Sequence, residues 1–210
     1  MNIWIINHYG KYENRHFFIG KHLVRRGHKV TICSSSFDHD LRQEIHLRPG
    51  QLHDFEDVDG VRFVWIKTPP YSGNGIRRVW NMLYFSFKII SSKALRNYAD
   101  YPEVIIGSSP HLFAAMSALL LSHSYRVPFV MEVRDLWPDS LTDLGGISKN
   151  HPAIKIMSWM ESYLYKKSKF IITLLPRAQE YIARFTNGQK VHWVPNGVET
   201  GIVPEPKRKS

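Results

Sequence analysis

Short apolar runs alternate with longer amphipathic stretches along most of this chain, and that alternation predicts the fold. Residues 2–7 (NIWIIN) are an apolar run of strand length. Residues 12–26 set Phe17, Ile19, Leu23 and Val24 at helical spacing. Gly27 stops that helix, and residues 28–33 (HKVTIC) read as a second strand. Strand, helix and strand in such close succession form a βαβ unit, whose right-handed crossover builds parallel sheet. Runs at 61–67, 104–107, 129–133, 169–174 and 191–194 predict five more strands. Stretches at 76–98, 111–124, 152–167 and 176–185 predict helices, the second opened by Pro110 with Ser109 as its cap. Residues 69–75 (PPYSGNG) and Pro195-Asn196-Gly197 are breakers. Residues 34–60 and 145–151 read as loops. The prediction is an α/β fold with a doubly wound, mostly parallel, Rossmann-like sheet of about seven strands. It fills residues 1–197, with 198–210 a linker or disordered tail.

The run at 129–133 ends abruptly in Arg134 and Asp135, with Trp137 and Pro138 close behind. Ligands of open α/β sheets bind beyond the carboxyl ends of such strands, so Glu132, Arg134 and Asp135 stand where a site would lie, beside an aromatic ring. A local ion pair closing a loop is the plainer reading of the same residues. Glu132, one step back on the pleat, points into the core on that reading. The loop His8-Tyr9-Gly10-Lys11 after the first strand opens onto a helix N-terminus, a place where free backbone N–H groups hold anions.

Composition narrows the classes. Apolar residues at 43% and charged residues at 22% are ordinary for a globular domain. No stretch is apolar for long enough to span a bilayer, and the N-terminus lacks a signal-peptide layout. Cys33 is the only cysteine, a small buried thiol by default, so a disulfide or cysteine–metal framework is excluded and a cytoplasmic location is expected. A net charge of +10, before 11 histidines are counted, favours an anionic partner: nucleic acid, an acidic membrane face or a phosphorylated small molecule. Dinucleotide and P-loop fingerprints are missing, as are G-x-S-x-G and H-E-x-x-H. His22 and His28 are not paired at metal-ligand spacing, and no nucleic-acid-binding signature accompanies the charge.

Four segments carry a family resemblance: residues 7–37 (NHYG…YENRHFFIGKHLVRRGHKVTICSSSF), 101–121 (YPEVIIGSSPHLFAAMSALLL), 128–145 (PFVMEVRDLWPDSLTDLG) and 160–199 (MESYLYKKSKFIITLLPRAQEYI…VHWVPNGVE). Together they resemble the N-terminal half of glycosyltransferase family 4 enzymes, which have the two-domain GT-B architecture. The EVRDLWPDS piece resembles the bacterial branch that builds surface polysaccharides, amino-sugar transferases among them.

The resemblance implies a domain that holds the acceptor, a sugar or lipid-linked sugar, while a C-terminal domain holds the nucleotide-sugar donor. Transfer of a hexosyl or amino-sugar group with retention follows, with no cofactor and no metal. The donor domain of the family carries an E-x7-E pair, and no two glutamates here stand eight positions apart. The expectation is therefore half an enzyme, inactive alone: a piece of a longer chain, a truncated gene product or one subunit of a split enzyme. Arg134 is expected to meet an anionic acceptor or donor phosphate, which its guanidinium matches bidentately. Asp135 would accept a sugar hydroxyl or orient Arg134. Arg15 and His16 match the R-H pair that opens the first helix in this branch. His8 is expected to face the cleft, with Ser109 nearby and Gly10, Trp137, Asn196 and Gly197 at cleft and hinge. The loop before the R-H pair is shorter than in relatives, which weighs against donor-phosphate contact from that side.

The stretch 76–98 (IRRVWNMLYFSFKIISSKALRNY) is basic, aromatic and free of acids. Such a helix can lie in an anionic membrane interface, through Arg77, Arg78, Trp80, Phe87 and Lys88, or pack on the sheet with its basic side in water. The two rival functions are an acceptor-binding half of a sugar transferase, peripheral on the inner face of the cell membrane, and a non-catalytic docking subunit that recruits a donor-binding chain.

Overall fold

The computed structural model describes residues 1–91, 93–139, 148–186 and 188–197. The tail 198–210 and part of the loop predicted at 145–151 lie outside these residues. In chain order the elements are β1 (Asn2–Ile6), α1 (Arg15–Arg25), β2 (Lys29–Ser35), β3 (Phe37–Asp38), β4 (Gln43–Glu44), β5 (His53–Val58) and β6 (Val61–Ile66). There follow α2 (Ile76–Ser91), α3 (Ala94–Tyr98), β7 (Val104–Ser108), α4 (Leu112–Tyr125) and β8 (Phe129–Val133). The last are α5 (Pro152–Lys167), β9 (Phe170–Thr173), α6 (Ala178–Ile182) and β10 (Val191–Trp193).

Eight strands form one sheet in the order β10-β9-β8-β7-β1-β2-β6-β5. All neighbours pair parallel except β5, which runs antiparallel to β6 at the edge. The chain builds outward from β1 to β6, then returns to β7 and builds the other way. The order therefore reverses between β1 and β7, and the crevice for a ligand opens at their carboxyl ends. That switch point lies one strand away from β8, the run that the sequence marks most strongly.

Burial explains the layers. Ile6, Cys33, Val64, Ile105 and Met131 face one side of the sheet and meet Phe85, Leu119 and Leu164 from α2, α4 and α5. Ile3, Ile5, Val30, Ile32 and Phe63 face the other and meet Phe17 of α1. Each such aliphatic or aromatic side chain removed from water contributes about 1.5–3 kcal/mol. Helix α4 is apolar on nearly every side because it lies between the sheet, α2 and α5.

Three expectations change. Residues 34–60 hold real structure, the β3–β4 pair and β5. The alternation that marks β5 (HDFEDV) is largely polar, because an edge strand buries little of either face. The long helix predicted at 76–98 is two helices. Its break lets Ala94 and Leu95 reach the core and Tyr98 stack on Phe55 with ring centroids 4.8 Å apart. The cap of α4 is His111 rather than Ser109, its Nδ1 accepting from Ala114 N–H at 3.2 Å.

Under α5 the Glu161 carboxylate is buried and accepts from the Tyr165 (2.8 Å) and Tyr181 (3.0 Å) hydroxyls. Burial outweighs both bonds and pushes this carboxyl from its ordinary 4.5 up to about 7. A folded pKa above the unfolded one means that the folded chain holds the proton more tightly. Glu161 therefore contributes most below about pH 4.5, and that contribution is lost as pH rises through about 7. Thermal melts of the native chain and Glu161→Gln should converge at low pH and diverge by up to about 3 kcal/mol by pH 8, with the variant losing less stability as pH rises. Parallel pH profiles would contradict the assignment.

Candidate functional site

The carboxyl ends of β1, β7 and β8 bring together most of the residues that the sequence singles out, but in two layers. The inner layer is closed to solvent. Glu132, the fourth residue of β8, is buried. Its Oε1 accepts from Arg15 Nε at 2.9 Å and its Oε2 from His16 Nε2 at 2.5 Å. Asn7, just past β1, donates Nδ2–H to His16 Nδ1 at 3.0 Å, which leaves the His16 proton on Nε2, facing the carboxylate. Burial works to raise the Glu132 pKa, yet the His16 ring and the Arg15 guanidinium outweigh it and hold the carboxyl far below the usual range. Asn14 caps α1 by accepting from Phe17 N–H, and so presents Arg15 and His16 at the first turn.

His8 is buried as well, a correction to the expectation that it faces the cleft. His111 Nδ1 is taken up by the α4 cap, so its Nε2–H donates to His8 Nδ1 at 2.8 Å. Burial, with Arg78 nearby, pushes His111 down to about 3; burial, with His111, His39 and Arg78, lowers His8 too. The pair is uncharged at neutral pH. His16 is likewise no surface contact, but the link between Asn7 and Glu132. Ser109 is buried, its Oγ accepting from Arg134 N–H at 3.2 Å, so it sets the path of the chain leaving β8. Gly10 packs against Ser34, which leaves no room for a side chain: a Cβ there would stand 2.7 Å from Ser34 Oγ.

The outer layer is open, and Arg134 stands on it between two recesses. One, of about 380 Å³, is lined by Tyr9, Lys11, His39, Arg78, Arg134 and Asp135, among others. Lys11 is neutralised there by Asp38 (3.1 Å) and Asp40. Among the described residues neither Arg78 nor Arg134 has a carboxylate at ion-pair distance, so the recess keeps positive charge to offer. The second recess, of about 570 Å³, lies between α1 and the segment after β10 and is lined by Arg15, Phe18, His22, Arg134, Asn196 and Gly197, among others. Arg15 spans from Glu132 to that segment. Its Nη2 donates to Val194 O at 2.9 Å, and its Nη1 to Pro195 O at 2.8 Å and Asn196 Oδ1 at 3.4 Å. With every nitrogen engaged, Arg15 fastens the segment that follows β10.

Trp137, expected in the cleft, packs instead against the core. Arg78, expected at a membrane, turns to the cleft, its guanidinium 5.9 Å over the Tyr9 ring. Tyr9 belongs to the loop that the sequence marks as an anion-holding place; His39, and Arg78 as a cleft residue, are what sequence reasoning missed, and no local signal marks them. Arg77, Trp80 and Phe87 are exposed on the outer face of α2, where Lys88 is half-buried over the Tyr84 ring at 5.5 Å. No helix among the described residues is long and apolar enough to cross a membrane. Among them, no group of three or more His, Cys, Asp or Glu residues is arranged to hold a metal ion.

A parallel sheet that reverses its order at β1 and β7, with an open recess beyond it, is the Rossmann-like architecture of GT-B glycosyltransferases. Solved structures share it: the catalytic domain of Arabidopsis thaliana starch synthase IV, bound to ADP and acarbose (TM-score 0.62, 15% identity), covers 95% of this chain and matches over 52% of its own length. Anabaena HepE with UDP-glucose gives 0.53 and 11%, over 95% of this chain and 44% of its own. Arabidopsis thaliana UGT89C1 with UDP gives 0.54 and 12%, over 94% and 49%. The chain thus spans about half the length of each. Residues 19–197 match the family described as glycosyl transferase 4-like domain, and the chain belongs to that family. No curated protein matches it by sequence.

The two layers should separate in stability. Glu132→Ala strands the Arg15 and His16 donors in a buried place and should cost about 3–5 kcal/mol in urea unfolding. Arg134→Ala, on the rim, should cost less than about 1 kcal/mol. Equal losses would refute the division.

Proposed function

We propose that this chain is the acceptor-binding domain of a retaining, nucleotide-sugar-dependent glycosyltransferase of bacterial surface-polysaccharide biosynthesis. The donor-binding domain completes the crevice, in cis or as a separate chain. The acceptor is a sugar or lipid-linked sugar carrying phosphate, met at the inner face of the cell membrane. The observation that carries this reading is Arg134, set between the cleft recess and the fastened segment after β10, with Arg78 across the recess and Asp135 beside it. The acceptor phosphate lies against the two guanidinium groups, and Asp135 accepts a sugar hydroxyl. Chemistry of this kind needs position and charge more than a reactive side chain on the acceptor wall. Family membership supports it, since the fold alone is compatible with many activities.

Titration with a sugar phosphate tests it, followed by the backbone amide signals of Tyr9, His39, Arg78 and Arg134 in NMR spectra. Each charge-assisted hydrogen bond to phosphate is worth about 1.5–3 kcal/mol. Arg134→Ala should therefore weaken binding about 10- to 100-fold, and Arg78→Ala comparably. Sugar-phosphate binding unchanged in both variants would overturn the assignment of this recess.

A further inference from the structure

Helix α2 carries two apolar faces. Met82, Phe85 and Ile89 are buried against the core. Ile76, Val79, Trp80, Leu83, Phe87 and Ile90 are all exposed, and at 100° per residue they fall within an arc of about 100° on the outer side. Trp80 is 58% and Phe87 65% accessible. A helix that only packed on the sheet would put its polar residues there.

The same pattern continues on the neighbouring helices. α4 packs against both α2 and α5, and the three share one core on one side of the sheet. The outward residues of α4 include Leu120, which is exposed. On α5, Ile156 is 58% and Trp159 61% accessible, and the Trp159 ring stacks on Tyr163 at 5.5 Å. The charge on this surface has one sign. Helices α2 and α4 contain no acidic residue, and the single carboxylate of α5, Glu161, is buried. Arg77, Lys155 and Lys166 are exposed and Lys88 is half-buried. Large, exposed apolar patches on soluble folds mark interaction surfaces. An apolar stripe with tryptophans, rimmed by cations and, on the three helices, free of accessible acids, complements one partner above others, the headgroup and upper acyl region of an anionic bilayer.

We propose that the outer face of α2, α4 and α5 together is a docking surface for an anionic phospholipid bilayer, with Trp80 and Trp159 as anchors on its two flanks. Contact through three helices fixes orientation as well as distance. Helices α2 and α4 begin beside the crevice, where Arg78 and Pro110 line the recess. A bilayer on this face reaches the mouth of the recess beside Arg78, the one basic residue of α2 that turns to the cleft. The inference stands on the surface alone. A chain that binds vesicles but no sugar phosphate would lose the function proposed above and keep this one.

Co-sedimentation with vesicles decides it. The chain should bind phosphatidylglycerol-rich vesicles at least about tenfold more tightly than phosphatidylcholine vesicles, and added salt should reduce the difference. Ile156→Glu with Trp159→Glu, and separately Trp80→Glu with Phe87→Glu, should each lower the affinity by about tenfold or more. All four side chains lie in water, and thermal melts verify that the variants are folded. Phe170→Glu, on the opposite face of the sheet, should leave vesicle binding unchanged. Indifference to lipid charge would overturn the proposal. So would undiminished binding in the α5 pair, or light scattering that shows these substitutions dissolving a dimer of the native chain.

Discussion

The buried carboxylate of Glu132 is the interaction on which the arrangement of this domain depends. It is an unfavourable group to enclose, and it is tolerated because His16 and Arg15 satisfy it from the first turn of α1. Three distant parts of the chain are held by it. Its strand is β8, its partners open α1, and through Arg15 it reaches the segment that follows β10. Parallel sheets are assembled from pieces remote in sequence, joined by long crossovers rather than tight turns. A single charged knot there sets the relative position of a strand, a helix and the segment after β10.

That knot also explains why the residues with the clearest sequence signal are not those most open to a ligand. Glu132, Arg15, His16 and His8 serve the frame, and Arg134, Asp135, Tyr9 and Arg78 face outward. The boundary between the two sets falls within one or two residues. His8 is closed while Tyr9 lines the recess, and Glu132 is closed while Arg134 and Asp135 are open. On a strand, alternate residues face opposite sides, and at its end one step separates core from solvent.

Much of the architecture was legible in the sequence, for a physical reason. Parallel strands buried on both faces read as short apolar runs, and the crossover helices read at period 3.6, so β1, β2, β6 to β10 and most helices could be placed. The edge strand β5 could not, since half-exposed residues carry no apolar run. Nor could the break before α3, which answers to packing on β5 and β6. At the site, the loop after β8 was legible because charge follows an apolar strand abruptly. The places of Arg78 and His39 were not, because they arise from the start of α2 and the turn after β3 meeting across the crevice, a long-range contact with no local mark. Trp137 misled for the converse reason: closeness to Arg134 in sequence did not make it a neighbour in the recess.

Tyr9 and His39, which line the recess, head a column of rings that runs inward from it. His39 stacks on Tyr9 at 4.7 Å, Tyr9 on His8 at 4.5 Å, and His8 on Phe85 of α2 at 4.5 Å. Two of these rings belong to consecutive residues and the last is wholly enclosed, so none can rotate without disturbing the next. A guest entering here meets a wall already in its final shape, with little side-chain freedom left to surrender. Any selectivity on this wall would come from fit to a surface set in advance, not from adjustment by the protein.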